Sequence, residues 1–99
     1  MAKFDVYLGS EKDSLLLDVQ ADLLDALNTR MVVPLMTVGT APVPAKRLNP
    51  VFVIDGIEYV MVTQFIAAVP RSILREPVAN LNDSFEDITA AIDMLIQGF

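Results

Sequence analysis

Three carboxylates, Asp18, Asp22 and Asp25, precede a guanidinium, Arg30, in "DVQADLLDALNTR". Carboxylates at this spacing can cluster around a turn and share acid–base work, and an arginine ahead of an apolar strand can anchor an anion. The plainer reading is that Asp22 and Asp25 cap turns or face water, and that Arg30 pairs with a nearby acid such as Asp25. The remaining inventory favours the plainer reading. The chain has no histidine and no cysteine. That removes disulfides, thiolate catalysis, zinc sites of the usual kind and the commonest general base. The sequence holds no phosphate-binding loop, dinucleotide fingerprint, nucleophile elbow or zinc-protease motif. No catalytic residue, metal site or cofactor is expected.

Composition points to partners instead. Residues 1–99 are the size of one domain, yet 54% are hydrophobic and 20% charged, with a mean hydropathy of +0.49. Such an apolar excess belongs in a membrane or against another protein. The longest apolar run, "VFVIDGIEYVMVTQFIAAVP", is interrupted by Asp55, Gly56, Glu58, Gln64 and Pro70, so no span of about 18 apolar residues exists. The start, "MAKFDVYLGSEKD", lacks the apolar core of a signal peptide. A cytoplasmic oligomer is the expectation. The net charge of −6 opposes direct binding to nucleic acid, which needs a basic stripe.

These residues must be positioned by mostly extended structure. "KFDVYL" alternates, with Phe4, Val6 and Leu8 on one face, and "SLLLDVQ" follows the turn-like "GSEKD" as a second strand. "ADLLDALNTR" reads as a short helix or a loop with an apolar knuckle at Leu23 and Leu24. "RMVVPLM" is strand-like, and Pro34 assigns that position to an edge or a bulge. "TVGTAPVPAKRLNP" is a proline-rich loop carrying Lys46 and Arg47. "PVFVIDGIEYVMV" is a hairpin around Asp55 and Gly56. Pro70 and Pro77 divide "FIAAVPRSILREPVANL" into short extended pieces. The chain closes with a helix. Asn82 or Asp83 is its N-cap, and Asp83 with Glu86 has capping-box spacing. Phe85, Ile88, Ile92, Leu95, Ile96 and Phe99 form the core stripe at 3.6 residues per turn, and Gly98 is the stop. Ala90, Ala91 and Met94 form a small, soft back suited to a dimer or partner. Strands closed by one helix predict a mainly β fold, a small barrel or twisted sheet plugged by the helix.

The segments "DVQADLL", "RMVVPL", "AAVP", "EPVANL" and "DITAAIDMLIQGF" occur in the order and separations of the CcdB toxins, and the chain resembles that family from Phe4 to Phe99. The resemblance implies an SH3-like β-barrel, with a main antiparallel sheet, a small second sheet and a C-terminal helix. It implies a cytoplasmic homodimer without cofactor, the toxin of a type II toxin–antitoxin module. Such a toxin binds the dimerisation region of the DNA gyrase A subunit and traps the cleaved-DNA complex, as a topoisomerase poison and not an enzyme. A disordered CcdA-like antitoxin neutralises it. By position, the gyrase-contacting residues fall on Leu23, Leu24, Asp93, Ile96, Gln97, Gly98 and Phe99. Familiar members carry tryptophan where this chain has Gln97. The antitoxin-contacting loops fall on residues 9–13 and 40–47, with Gly9, Ser10, Glu11, Lys12, Lys46 and Arg47. Two alternatives are a dimer that keeps its antitoxin but has lost or changed its gyrase target, and a MazF-like endoribonuclease on the same barrel, which would need a basic groove around Arg30.

Overall fold

The computed structural model describes residues 2–11 and 13–98. Lys12 and Phe99, expected at the antitoxin and gyrase surfaces, lie outside the described residues. The strands are β1 (Asp5–Leu8), β2 (Ser14–Asp18), β3 (Thr29–Thr37), β4 (Val51–Ile54), β5 (Ile57–Met61), β6 (Ala67–Pro70) and β7 (Ala79–Asn80), and the helix is α1 (Phe85–Gln97). Short 3-10 turns occupy Asp22–Leu24, Thr63–Phe65, Arg71–Ile73 and Asn82–Ser84. All strand pairs are antiparallel, in the order β4-β5-β3-β2-β1-β7, with β6 also on β3, and the sheet curls into a nearly closed barrel. The small second sheet expected from the sequence does not separate: the β4–β5 hairpin is hydrogen-bonded to β3, so all seven strands form one sheet.

Strand β3 carries the architecture. It pairs with β2 along Val32–Met36 on one side, and on the other with β6 at its start and β5 at its end. Pro34 therefore lies in a central strand, not at the edge or bulge expected. Its carbonyl accepts from the Val62 amide between β5 and β6. A residue's N–H and C=O face the same neighbour in an antiparallel ladder, so the missing donor of Pro34 falls where β3 changes partner. The hairpin between β4 and β5 turns as its dipeptide predicts, with Asp55 and Gly56 at φ 53° and 79°, the left-handed pair of a type I′ turn.

One sheet face packs Val6, Leu15, Leu17, Val33, Leu35 and Met61 against Ile88 and Ala91 of α1. The other covers Tyr7 and Val32 with Leu74. The expected Phe4–Val6–Leu8 face holds for Phe4 and Val6, but Leu8 is 69% exposed at the hairpin. Phe4 keeps its ring in the core at a φ of 71°. An aromatic residue there is strained by about 1–3 kcal/mol. The Phe4 amide donates to the Asp18 carbonyl and the Phe4 carbonyl accepts from the Leu81 amide, which holds the conformation.

Helix α1 departs from its predicted stripe. Ile88 and Ala91 are its buried residues, Ile92 is half-buried, and Phe85, Leu95 and Ile96 are exposed. The packed face is rotated toward Ala91, because a methyl side chain lets the helix backbone approach the sheet more closely than a large one. Ala91 is therefore core, and the soft back reduces to half-buried Ala90 and Met94. The capping box does not form. Ser84 is the N-cap and makes no side-chain cap bond. The preceding 3-10 turn supplies a carbonyl instead, with the Phe85 amide donating to the Asn82 carbonyl. Gly98 ends the helix as predicted, at φ 82° with its amide on the Met94 carbonyl.

Candidate functional site

The segment between β2 and β3 presents Leu23, 93% exposed, with Leu24 and Leu27 about half exposed. No residue of its 3-10 turn is buried, so packing does not hold it. Polar groups do. The Gln20 amide nitrogen donates to the Leu24 carbonyl (3.1 Å), and the Gln20 amide oxygen accepts from the Met31 amide (3.1 Å). Asp22 accepts from the Lys3 amide (2.8 Å). Asp25 accepts from Arg30 (3.1 Å), and Arg71 donates to the Asp25 carbonyl.

Beneath the turn lies a buried ion pair. Arg30 and Asp18 are both fully enclosed. Arg30 donates from Nε (2.9 Å) and Nη2 (2.6 Å) to Asp18 Oδ2. The sequence expectation paired Arg30 with Asp25, which is its second partner. Asp18 is opposite Val32 in the β2–β3 register, so Arg30, two residues along β3, is its diagonal neighbour on the same face. Strand alternation was the signal for this pair. Burial pushes the Asp18 carboxyl above the usual range, and the Arg30 guanidinium and the Gln20 backbone N–H pull it back down. Asp18, Asp22 and Asp25 are thus each committed to a structural bond, and Arg30 has no access to a groove. Among the described residues no cluster of acids forms a metal site.

The tip of α1 is the second apolar feature. Asp93, Gln97 and Gly98 are exposed, and Ile96 is 73% exposed. No hydrogen bond among the described residues joins tip and turn. Both are rooted in one core cluster, against which Val19 and Ile92 pack.

The first hairpin loop borders a third feature. Gly9, Ser10 and Leu16 face Ile73, Arg75 and Glu76 across an open cleft of about 700 Å³. A second cleft of about 280 Å³ shares Gly9, Ser10 and Leu16 and continues to Glu11, Pro34 and Phe65. A side chain at position 9 would be crowded, since a Cβ there would lie 2.5 Å from Ser14 Oγ and 3.0 Å from the Ser14 carbonyl oxygen. Lys46 and Arg47 line neither cleft. They sit exposed on the loop before β4, which Asn49 ties to the Met61 carbonyl (3.0 Å) and Gln64 (2.8 Å). Residue types alone did not reveal Gln20, Arg71 or the clefts, because each depends on how the chain folds back on itself.

The fold and these surfaces define a small antiparallel barrel that displays apolar side chains on a turn and on a helix tip. The chain belongs to the CcdB protein family, whose model matches residues 3–98. Membership places it among the toxins of toxin–antitoxin modules. No helix of the described residues is long and apolar enough to cross a membrane.

Proposed function

We propose that this protein is a homodimeric toxin that binds the dimerisation region of the gyrase A subunit and traps the cleaved-DNA complex, without catalysis or cofactor of its own. The observation that carries this reading, beside family membership, is Leu23. A leucine 93% exposed on a turn braced by polar bonds contributes almost nothing to folding, and is explained by burial in a complex. Leu24 and the tip residues Asp93, Ile96, Gln97 and Gly98 supply the rest of the surface, with Phe99 following. The disordered antitoxin segment runs along the clefts beside Gly9, Ser10 and Glu11, and Lys46 and Arg47 meet its acids.

Leu23→Ala tests the reading. Burying a leucine side chain is worth about 1.5–3 kcal/mol, so calorimetry with a gyrase A dimerisation fragment should show roughly 10- to 100-fold weaker binding, with an unchanged urea midpoint. Equal affinity of wild type and variant would refute it. A second reading, a dimer that binds its antitoxin but no longer gyrase, rests on exposed Gln97. Glutamine lacks the aromatic face that the tryptophan of familiar members offers to a cation. Tight binding of the fragment by the wild type excludes this second reading.

A further inference from the structure

We propose that Arg71 is a positioning residue that locks the turn carrying Leu23 and Leu24 in its displayed conformation through Asp25. The importance of that display for binding rests on the gyrase reading above. The lock itself rests on geometry. The turn has no buried residue, so its order comes from the bonds at its base. Arg71 lies 46 residues further along the chain and grips that base at three points. Its Nη1 donates to the Asp25 carbonyl, its Nη2 stands 3.8 Å from Asp25 Oδ1, and its own amide donates to the Asn28 carbonyl (2.9 Å). The Asp25 carboxylate also takes Arg30 Nη1 at 3.1 Å, so it sits between two guanidinia, one from the buried stem and one from the far segment.

The two arginines differ in what they hold. Arg30 is enclosed and pairs with Asp18, so it belongs to the barrel. Arg71 is 39% exposed at its side chain, and among the described residues that side chain bonds only to Asp25. A guanidinium can serve the side chain and the main chain of one residue at once, because its donors diverge in a fixed plane. Removing it frees the turn without emptying the core.

The experiment compares wild type, Arg71→Met, Arg71→Lys and Leu23→Ala as full chains. The readouts are amide hydrogen exchange, urea unfolding and calorimetry with the gyrase A dimerisation fragment. The amides of Leu24, Asp25 and Leu27, bonded to the Ala21, Asp22 and Leu24 carbonyls, report the turn. In R71M they should exchange roughly tenfold faster, the scale of one lost charge-assisted bond. The amides of Val33 and Leu35 should be unchanged, affinity for the fragment should fall, and R71K should recover part of both effects. Unchanged turn exchange in R71M overturns the lock, and so does equal acceleration in turn and core. Faster turn exchange with unchanged affinity, where Leu23→Ala weakens binding, overturns the positioning role. Should the fragment fail to bind wild type, or bind wild type and Leu23→Ala alike, the gyrase reading fails and the exchange arm alone decides the lock.

Discussion

Arg30→Met removes the guanidinium at the centre of the barrel's charged stem. The variant leaves Asp18 fully enclosed, with the Gln20 amide on Oδ1 and nothing on Oδ2 in place of the 2.9 and 2.6 Å bonds from Arg30. Breaking a buried pair by deleting one partner costs about 3–5 kcal/mol. A domain of this size has about 5–15 kcal/mol in total, and each kcal/mol is worth about 4–8 °C in Tm. Urea unfolding at pH 7 and fixed protein concentration should therefore show a loss of about 3–5 kcal/mol. Acid should narrow the deficit. Burial already raises the Asp18 carboxyl, and Arg30 is the chief group pulling it down. Without Arg30 the folded-state pKa rises further above the unfolded one. The stability contribution of a group raised in this way is present below its unfolded pKa and is lost as pH climbs through the folded value. R30M should thus approach wild type as pH falls from 7 toward 4. Adding Asp18→Leu should restore most of the loss, since an apolar pair of similar volume needs no counter-charge. A deficit under about 1 kcal/mol, or one that does not change with pH, would refute the reasoning.

Tyr7→Phe should leave stability equal or raise it by up to about 1 kcal/mol, because the buried Tyr7 hydroxyl has no hydrogen-bond partner among the described residues. Burial, then the charges of Asp5 and Asp18, raise the phenol above its ordinary 10.0. Wild type should lose stability relative to Y7F as pH climbs through the raised value, measured by urea midpoints in alkaline buffer. Gly9→Ala should cost about 1–3 kcal/mol through overpacking against Ser14. In G9A, Ser14→Ala should relieve the Oγ clash but not the carbonyl one, as thermal melts would show. Ile88→Ala should cost about 2–5 kcal/mol in urea, because Ile88 is one of two fully buried side chains of α1. A loss comparable to that of a surface substitution would contradict the packing described for the helix.

How much was legible in advance follows the range of the forces. Asp55-Gly56 and Gly98 were readable because left-handed backbone is a local property of the residue, whatever packs around it. The short strands, the closing helix and the exposed leucines of the 22–24 turn were likewise legible from periodicity and from collinearity with the CcdB family. The helix stripe was legible only in part. Periodicity finds an apolar face, but the sheet took Ile88 from it and Ala91 from the side assigned to the soft back, since close packing rewards a small residue at the crossing. Pro34 shows the same limit. Its lack of a donor is a sequence fact, and its tolerance in a central strand depends on two other strands leaving a gap beside it.

The candidate surfaces divide in the same way. The sequence by itself determined the composition of the molecule: acidic, apolar, free of histidine and cysteine, and able to recognise partners with few groups for chemistry. It also determined which short stretches turn, extend or coil, because those choices depend on a residue and its near neighbours. Only the tertiary structure decided that Asp18 rather than Asp25 is the first partner of Arg30, and that Arg71 reaches back to the leucine turn. It alone opened the clefts between the first hairpin and the 73–78 segment. Each of these joins residues from different strands or segments, and a charge, a hydrogen bond or a void acts through distance in space.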